Sequence, residues 1–268
     1  MIDCTVLIMT FNEEDNIKEC LDSVSDSFKR VCIVDSFSTD DTLKIAADYK
    51  DVDIYSNEFE SWGLQRNWIF KKANVTTKYV LFLDADEVIS QSLNDEIACC
   101  IEAGKMDNAK FYVKNIFLGK WIRFSYGHPA IVRLFRTSSS PSYTAEGARE
   151  YPDIKGTQVV LQNPLIHFDR KPLDVWLTKH ISNARREALY LLEQSGESTN
   201  NTFKSFIRNN IWVRLPIFFR SLLYFLYRYF LKLGFLDAAP GFIFCFFQAF
   251  SYQNMISAFI YEKKRKNK

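Results

Sequence analysis

The chain has 268 residues, 47% hydrophobic and 25% charged, which suits one large α/β domain or a domain with an appendage and excludes a disordered chain or a disulfide miniprotein. Its net charge of +2 hides a split, because residues 201–268 hold 11 Lys/Arg against 2 Asp/Glu, leaving 23 basic and 30 acidic residues in 1–200. The same 68 residues hold 13 of the 24 phenylalanines, so the composition predicts an acidic globular part, 1–200, followed by a basic aromatic section, 201–268.

Cys4–Met9 is a short apolar run with β-branched residues and predicts a buried strand. Thr10–Asp15 breaks it, and Ile17, Leu21 and Val24 then recur at helical spacing. Val31–Val34 predicts a second strand, closed by the polar stretch Asp35–Asp41, and Leu43–Ala47 a helix. Asp53–Tyr55 reads as a third strand, Leu64–Ala73 as a helix, Tyr79–Leu83 as a fourth strand and Leu93–Ala103 as another helix. Strands alternating with helices at this pitch predict a doubly wound, mostly parallel sheet flanked by helices. No basic leader precedes Met1–Met9, which Asp3 interrupts, so no signal peptide is expected. The six cysteines lack zinc-type spacing, and together these features point to a reducing, cytosolic setting.

Ligands of such sheets bind outside the carboxyl ends of the strands. Three of the four predicted strands end in polar residues there: Thr10, Asn12 and Glu13; Asp35, Ser36 and Ser38; Asp84, Asp86 and Glu87. No glycine-rich phosphate loop is present, so a bound nucleotide would need carboxylates and a metal to manage its phosphates. Asp84-Ala-Asp86 after a buried strand suits that task, because paired carboxylates can share Mg²⁺ or Mn²⁺ and the sugar of a nucleotide.

Thr10–Glu14, Val34–Thr42 and Leu83–Glu87 resemble the three nucleotide-sugar motifs of family 2 glycosyltransferases, which have the GT-A fold. Gln65-Arg66-Asn67, Phe117–Arg123, His128-Pro129 and Arg133–Arg136 extend the resemblance. They look like the bacterial branch that builds lipopolysaccharide cores and related surface glycans, often as β-glucosyltransferases. The resemblance covers about residues 2–190. It implies a nucleotide-sugar part over about 1–105 and an acceptor part over about 106–200.

The resemblance assigns roles. Thr10, Asn12 and Glu13 would line the nucleotide pocket, and Asp35 would accept the imide N–H of uracil. Asp84 would hold the ribose or the metal, and Asp86 the metal. Gln65, Arg66 and Asn67 would face the diphosphate or donor sugar. An inverting transfer needs a general base. The place of the family's His-Glu pair is taken by Arg149-Glu150, which makes Glu150 the candidate, with Glu146 as alternative. His167 matches a further family histidine, whereas His180 shares a helical face with Trp176 and Ala184 and reads as packing. Trp121, Arg123 and Arg133 are candidate contacts to acceptor or phosphate. Two departures stand out: Phe37 and Asp41 occupy places where the family often has glycine, and Arg149 replaces histidine. A phenylalanine at a tight turn predicts a loop of different shape.

In the tail, Phe203–Phe235 mixes aromatics with basic residues, and Pro216 interrupts it. Its apolar runs are short for a span, which suits helices lying at a membrane interface with arginines at anionic head groups. Ala238–Tyr261 has no charge, yet Pro240, Gln248, Ser251, Gln253 and Asn254 cut it, so a monotopic helix or packed hairpin is expected over a span. A soluble oligomer interface is the alternative, and no nucleic-acid motif accompanies the basic residues. The sequence thus reads as a metal-dependent, inverting glycosyltransferase on the cytoplasmic face of the plasma membrane. The donor would be a UDP-sugar, first of all UDP-glucose, and the acceptor a lipid-linked glycan. A sugar nucleotidyltransferase and a catalytically idle membrane scaffold are the competing readings.

Overall fold

β-Branched and apolar residues alternate faces along Ile2–Thr10 (β1), and both faces are buried. Val6 and Ile8 pack with Ile17, Leu21, Leu93 and Ile97, while Leu7 and Met9 pack with Ile69 and Ala73. A strand covered on both sides needs helices on both sides. These are Ile17–Asp22 (α1) and Gln91–Ala103 (α4) on one face and Trp62–Lys72 (α3) on the other. Thr42–Ala47 (α2) adds Ala46 to the first cluster. Residues 1–127, 129–146, 149–193 and 216–266 are described in this computed structural model, with backbone alone at 145, 146, 149, 169 and 217.

Phe28–Asp35 (β2), Val52–Ser56 (β3) and Tyr79–Asp84 (β4) complete the parallel half with β1. Then come Glu87–Val88 (β5), Asn108–Phe117 (β6) and Lys120–Trp121 (β7). Ala130–Arg136 (β8), the Tyr143–Glu146 and Arg149–Pro152 pair (β9, β10), Gln158–Val160 (β11) and Leu165–Asp169 (β12) follow. The main sheet runs β3-β2-β1-β4-β8-β6-β12-β5. β8 is antiparallel to both β4 and β6, and β5 is antiparallel to β12, so the expected parallel sheet becomes mixed beyond β4.

The chain divides into two compact units. The first comprises 1–119, 128–145 and 149–170; the second comprises 120–127, 146–148 and 171–268. These units do not follow the change of charge sign near residue 200. The physical reason lies inside the second unit. Helix Leu173–Glu193 (α5) packs Ala184 and Ala188 on Ile256 of the last helix, Tyr252–Lys266 (α8). Asp237, 2% exposed, accepts the backbone N–H groups of Arg123 (3.2 Å), Phe124 (2.9 Å) and Ser125 (2.7 Å). Ser125 in turn donates its hydroxyl to the carbonyl of Gly234. Gly241 is required for this closeness, because a Cβ there would lie 2.5 Å from the Gly234 carbonyl oxygen. His180 Nδ1 lies 3.0 Å from the Trp176 carbonyl oxygen and Nε2 lies 2.9 Å from Gln248 Oε1, with its ring tilted against that of Trp176, so it packs within this unit.

Between these parts, Ile217–Leu226 (α6) continues into a π-turn, Tyr227–Leu231, and Ala238–Cys245 (α7) runs through Phe246–Ser251 into α8. Gly234–Lys266 is long and apolar enough to cross a membrane by length and composition, but a third of its most apolar window is buried within the protein.

Replacing Asp237 by Ala strips three backbone donors of their acceptor. Hydrogen exchange at the amides of Arg123, Phe124 and Ser125 should then rise by about a hundredfold, corresponding to about 3 kcal/mol of lost local protection. Unchanged exchange at those three amides would remove the clamp from the account of this unit.

Candidate active site

Strand register brings the polar strand ends to one sheet edge. Thr10 pairs with Asp35, Met9 with Asp84, and Asp35 with Ser56. The loops after β1 and β2 are laced together. Asn12 Oδ1 accepts the N–H of Thr39 at 2.8 Å, and the N–H of Asn12 donates to Ser38 Oγ. The N–H of Glu13 donates to Thr42 Oγ1, and the Glu13 carboxylate, largely buried, accepts from Asn16. Thr10 is buried at the base of the loop.

The second loop corrects an expectation. Phe37 takes φ 62°, the left-handed region that glycine favours, so the loop keeps the shape a glycine would give it. Such a conformation costs about 1–2 kcal/mol. It is held because the buried carboxylate of Asp35 accepts both the N–H (2.8 Å) and the hydroxyl of Ser38, and because the ring is 60% exposed and meets little steric resistance. Asp41 has φ −77° and needs no glycine.

The centre of the site is a closed ring of four charges. Arg66 of α3 donates Nη2–H to Asp84 Oδ1 at 2.8 Å and Nε–H to both oxygens of Glu150 at 3.0 and 2.8 Å. Arg133 of β8 donates Nη2–H to Asp84 Oδ2 at 2.8 Å and Nη1–H to Glu150 Oε1 at 3.0 Å. Arg66 is 1% exposed and lies against the rings of Phe82 and Tyr143, at 5.9 and 5.5 Å. Two carboxylates from β4 and β10 thus alternate with two guanidinium groups. A buried guanidinium is tolerable only with such partners.

Glu87 lies beneath the ring, with Oε1 4.0 Å from Arg133 and Oε2 accepting the N–H of Asp84. Burial, then the Asp84 and Asp86 charges, push its carboxyl well above the usual carboxylate range. Desolvation pushes the Tyr143 hydroxyl up as well. Asp86 Oδ2 lies 3.2 Å from His167 Nε2, and His167 Nδ1 meets Asn115 Oδ1 at 3.2 Å. Strand register sets this pair, since His167 of β12 is opposite Glu87 of β5 and beside Asn115 of β6.

Several candidates have protein partners of their own. Gln65 is buried between Ser36 (3.1 Å) and Asn57 (2.7 Å), which ties α3 to the loop after β2. Asn67 exchanges two 2.8 Å hydrogen bonds with the backbone of Tyr143 and so pins β9 to α3. Trp121 and Arg123 belong to the second unit, where the Arg123 guanidinium lies 5.3 Å over the Trp121 ring. Glu146 ends β9, but its side chain lies outside the described residues, as does His128. Sequence reasoning placed Glu87 at the polar strand end but did not find Asn115 or Tyr143 as members of the site. Nor did it pair Arg133 with Glu150, 17 residues apart, because no periodicity links separate strands.

A divalent cation fits this donor set in one way. No group of three or more His, Cys, Asp or Glu among the described residues could hold a metal alone. Both Asp84 oxygens face arginines, which leaves Asp86 and His167 as an adjacent O,N pair. Mg²⁺ and Mn²⁺ commonly bind through one or two side chains plus the phosphates of a substrate. The residues present therefore fit a cation that arrives with a nucleotide.

Residues 5–132 match the family described as glycosyl transferase family 2. The glycosyltransferase SunS from the SPbeta prophage of Bacillus subtilis is 37% identical over 102 residues, 36% of this chain and 22% of SunS. An uncharacterized glycosyltransferase of Rickettsia typhi is 33% identical over 109 residues, 40% of this chain and 36% of its own. The aligned region thus spans about a fifth to a third of these curated relatives. Among solved structures, the mannosyltransferase PcManGT from Pyrobaculum calidifontis, in complex with GDP-Man and Mn²⁺, superposes with TM-score 0.53 at 13% identity, covering 98% of this chain and 88% of that one. S. aureus TarS 1-349 does so with TM-score 0.50 at 17% identity, covering 100% and 92%. The fold is GT-A: a mixed α/β sheet with flanking helices.

The ring makes a stability prediction. Arg66→Met leaves two carboxylates short of a partner and should cost about 3–5 kcal/mol in urea unfolding. Asn67→Ala, which removes two hydrogen bonds to the Tyr143 backbone, should cost about 1–2 kcal/mol. A loss below 1 kcal/mol for Arg66→Met would mean that the ring does not hold these elements together.

Proposed function

We propose that this chain, a family 2 glycosyltransferase over residues 5–132, moves a sugar from a UDP-sugar to a lipid-linked glycan with inversion at the anomeric carbon. The observation that carries the reading is the closed ring, which fixes Glu150 beside the Asp84 strand end while the loops after β1 and β2 are laced at the same edge. Asp35 accepts an imide N–H of uracil, and Thr10, Asn12 and Glu13 shape the pocket around it. Asp86 and His167 hold Mg²⁺ or Mn²⁺ together with the diphosphate. Bound there, the cation neutralises charge that develops on the leaving diphosphate. The mannosyltransferase of like fold, solved with GDP-Man and Mn²⁺, supports a divalent cation.

In the transfer, an acceptor hydroxyl oxygen forms a bond to the anomeric carbon as the bond from that carbon to the diphosphate breaks. Glu150 takes the hydroxyl proton, and UDP departs with the bonding electron pair. Glu150 Oε1 accepts two N–H groups and Oε2 one, so Oε2 retains a lone pair for that proton. Arg66 and Arg133 orient Asp84 and Glu150, and Trp121 and Arg123 meet the acceptor. Glucose is the first sugar to test. The protein works at the cytoplasmic face of the plasma membrane.

Calorimetry with UDP and Mn²⁺ should show binding, weaker when EDTA replaces the cation and weaker for GDP than for UDP. Glu150→Gln should keep UDP binding and lower transfer by about a thousandfold, measured as UDP release with lipid extract as acceptor. Absence of UDP binding by the wild type would sink the enzyme reading. Normal turnover by Glu150→Gln would move the base elsewhere, with Glu146 the next residue to replace.

A further inference from the structure

The second unit carries an apolar surface that the proposed chemistry does not use. Phe219, Leu223, Leu226 and Phe230 recur at spacings of four, three and four, one stripe of the α6 helix and its π-turn, and all are exposed. Leu231 beside them is 75% exposed. The surface continues onto α7. Phe242 packs edge to face on Phe225 (5.9 Å) and Tyr229 (5.5 Å) while staying exposed itself, and Phe246 stacks on Phe242 at 6.2 Å. The exposure is one-sided, because Ser221, Asp237, Phe244, Cys245 and Ala249 of the same elements are buried. A contiguous aromatic face of this kind marks an interaction surface.

Charge chooses the occupant. Residues 201–268 carry 11 basic side chains against 2 acidic ones. Of those two, Asp237 is buried, and Glu262 is paired with Lys266 at 2.6 Å. Exposed Phe and Leu beside exposed Lys232, in a section whose last helix ends in the exposed basic run Lys263–Lys266, match an anionic bilayer. A transmembrane path for Gly234–Lys266 conflicts with its internal ties. Asp237 holds three amides of 123–125, Arg228 donates to the Ser125 carbonyl, and Ile256 sits on α5. A helix fixed at both ends to its own unit offers one face to lipid, not its whole circumference.

We propose that the exposed face of residues 217–246 docks in the plane of an anionic lipid bilayer as a monotopic element. Asp237 ties this element to the loop 120–127, so docking holds the loop that bears Trp121 and Arg123 together with the membrane-bound element. The inference extends the reading of a lipid-linked acceptor, and its test reads a different unit.

The full chain is floated with vesicles of phosphatidylglycerol and phosphatidylcholine, and with phosphatidylcholine alone. Wild type should bind the mixed vesicles, and bind the neutral ones about tenfold or more weakly. The variant Phe230→Ser/Leu231→Ser changes only exposed positions. It should partition about tenfold or more weakly into mixed vesicles while binding UDP as wild type does. Vesicle binding by the variant equal to wild type overturns the proposal, as does failure of wild type to bind mixed vesicles. Equal binding to neutral vesicles overturns the anionic assignment. A stable wild-type dimer that the variant abolishes hands the face to a second copy, and resistance to alkaline carbonate extraction replaces docking by a span. Loss of UDP binding in wild type counts against the catalytic reading alone.

Discussion

Arg66 and Arg133 are the constraint on which the first unit depends. Four elements meet at their guanidinium groups: α3, β4, β8 and β10. None of the charges involved would be stable at its depth without the others. Asp84 and Glu150 each gain two donors, the Arg66 Nε–H being shared between both Glu150 oxygens, and the hairpin bearing Glu150 is thereby fixed to the end of the strand bearing Asp84. The separation between the candidate base and the nucleotide edge is thus set by planar, bidentate chemistry, which lysine cannot supply. Asn67 reinforces the same arrangement from the backbone side by holding Tyr143, whose ring covers Arg66.

The acidic character of the first 200 residues has its structural counterpart at this edge. Asp35, Asp84, Asp86 and Glu87 all end or follow strands, and each carboxylate has an assigned donor or a nearby cation. Glu87 departs from the rest: burial and its acidic neighbours favour its neutral form, which spares the ring a further negative charge. The left-handed backbone at Asn12 and Phe37 is the cost of turning two loops tightly at one edge. Side-chain acceptors on Asp35 and Asn12 offset it by capturing the N–H groups of Ser38 and Thr39.

The parallel half was legible because its strands are continuous apolar runs between polar turns, and the predicted strands Cys4–Met9, Val31–Val34 and Tyr79–Leu83 lie inside β1, β2 and β4. Beyond α4 the signal fades. Asn108–Phe117 alternates buried and half-buried residues with two lysines, and β8 runs antiparallel, so no βαβ rhythm marks them. The strand-end motifs were legible through family resemblance, but the partners of their side chains were not. Gln65 and Asn67 sit in a motif and yet spend their amides on protein, a choice only tertiary contacts reveal. The compact units do not follow the change of charge, for a similar reason. Charge changes sign near residue 200, whereas contacts draw 120–127 and α5 to the tail through residues 112 or more apart in sequence.

Two carboxylates, Asp237 buried and Asp84 half-buried, show how differently the two units use charge. Asp237 is satisfied by three consecutive backbone N–H groups, donors that a ligand cannot carry away without unfolding the loop. Such a carboxylate makes a permanent joint. Asp84 is satisfied by two side chains, whose guanidinium groups have a second natural partner in any phosphate. The ring therefore joins elements through side chains alone, and its strength depends on all four groups being present, whereas the Asp237 clamp joins a side chain to backbone and depends on one carboxylate.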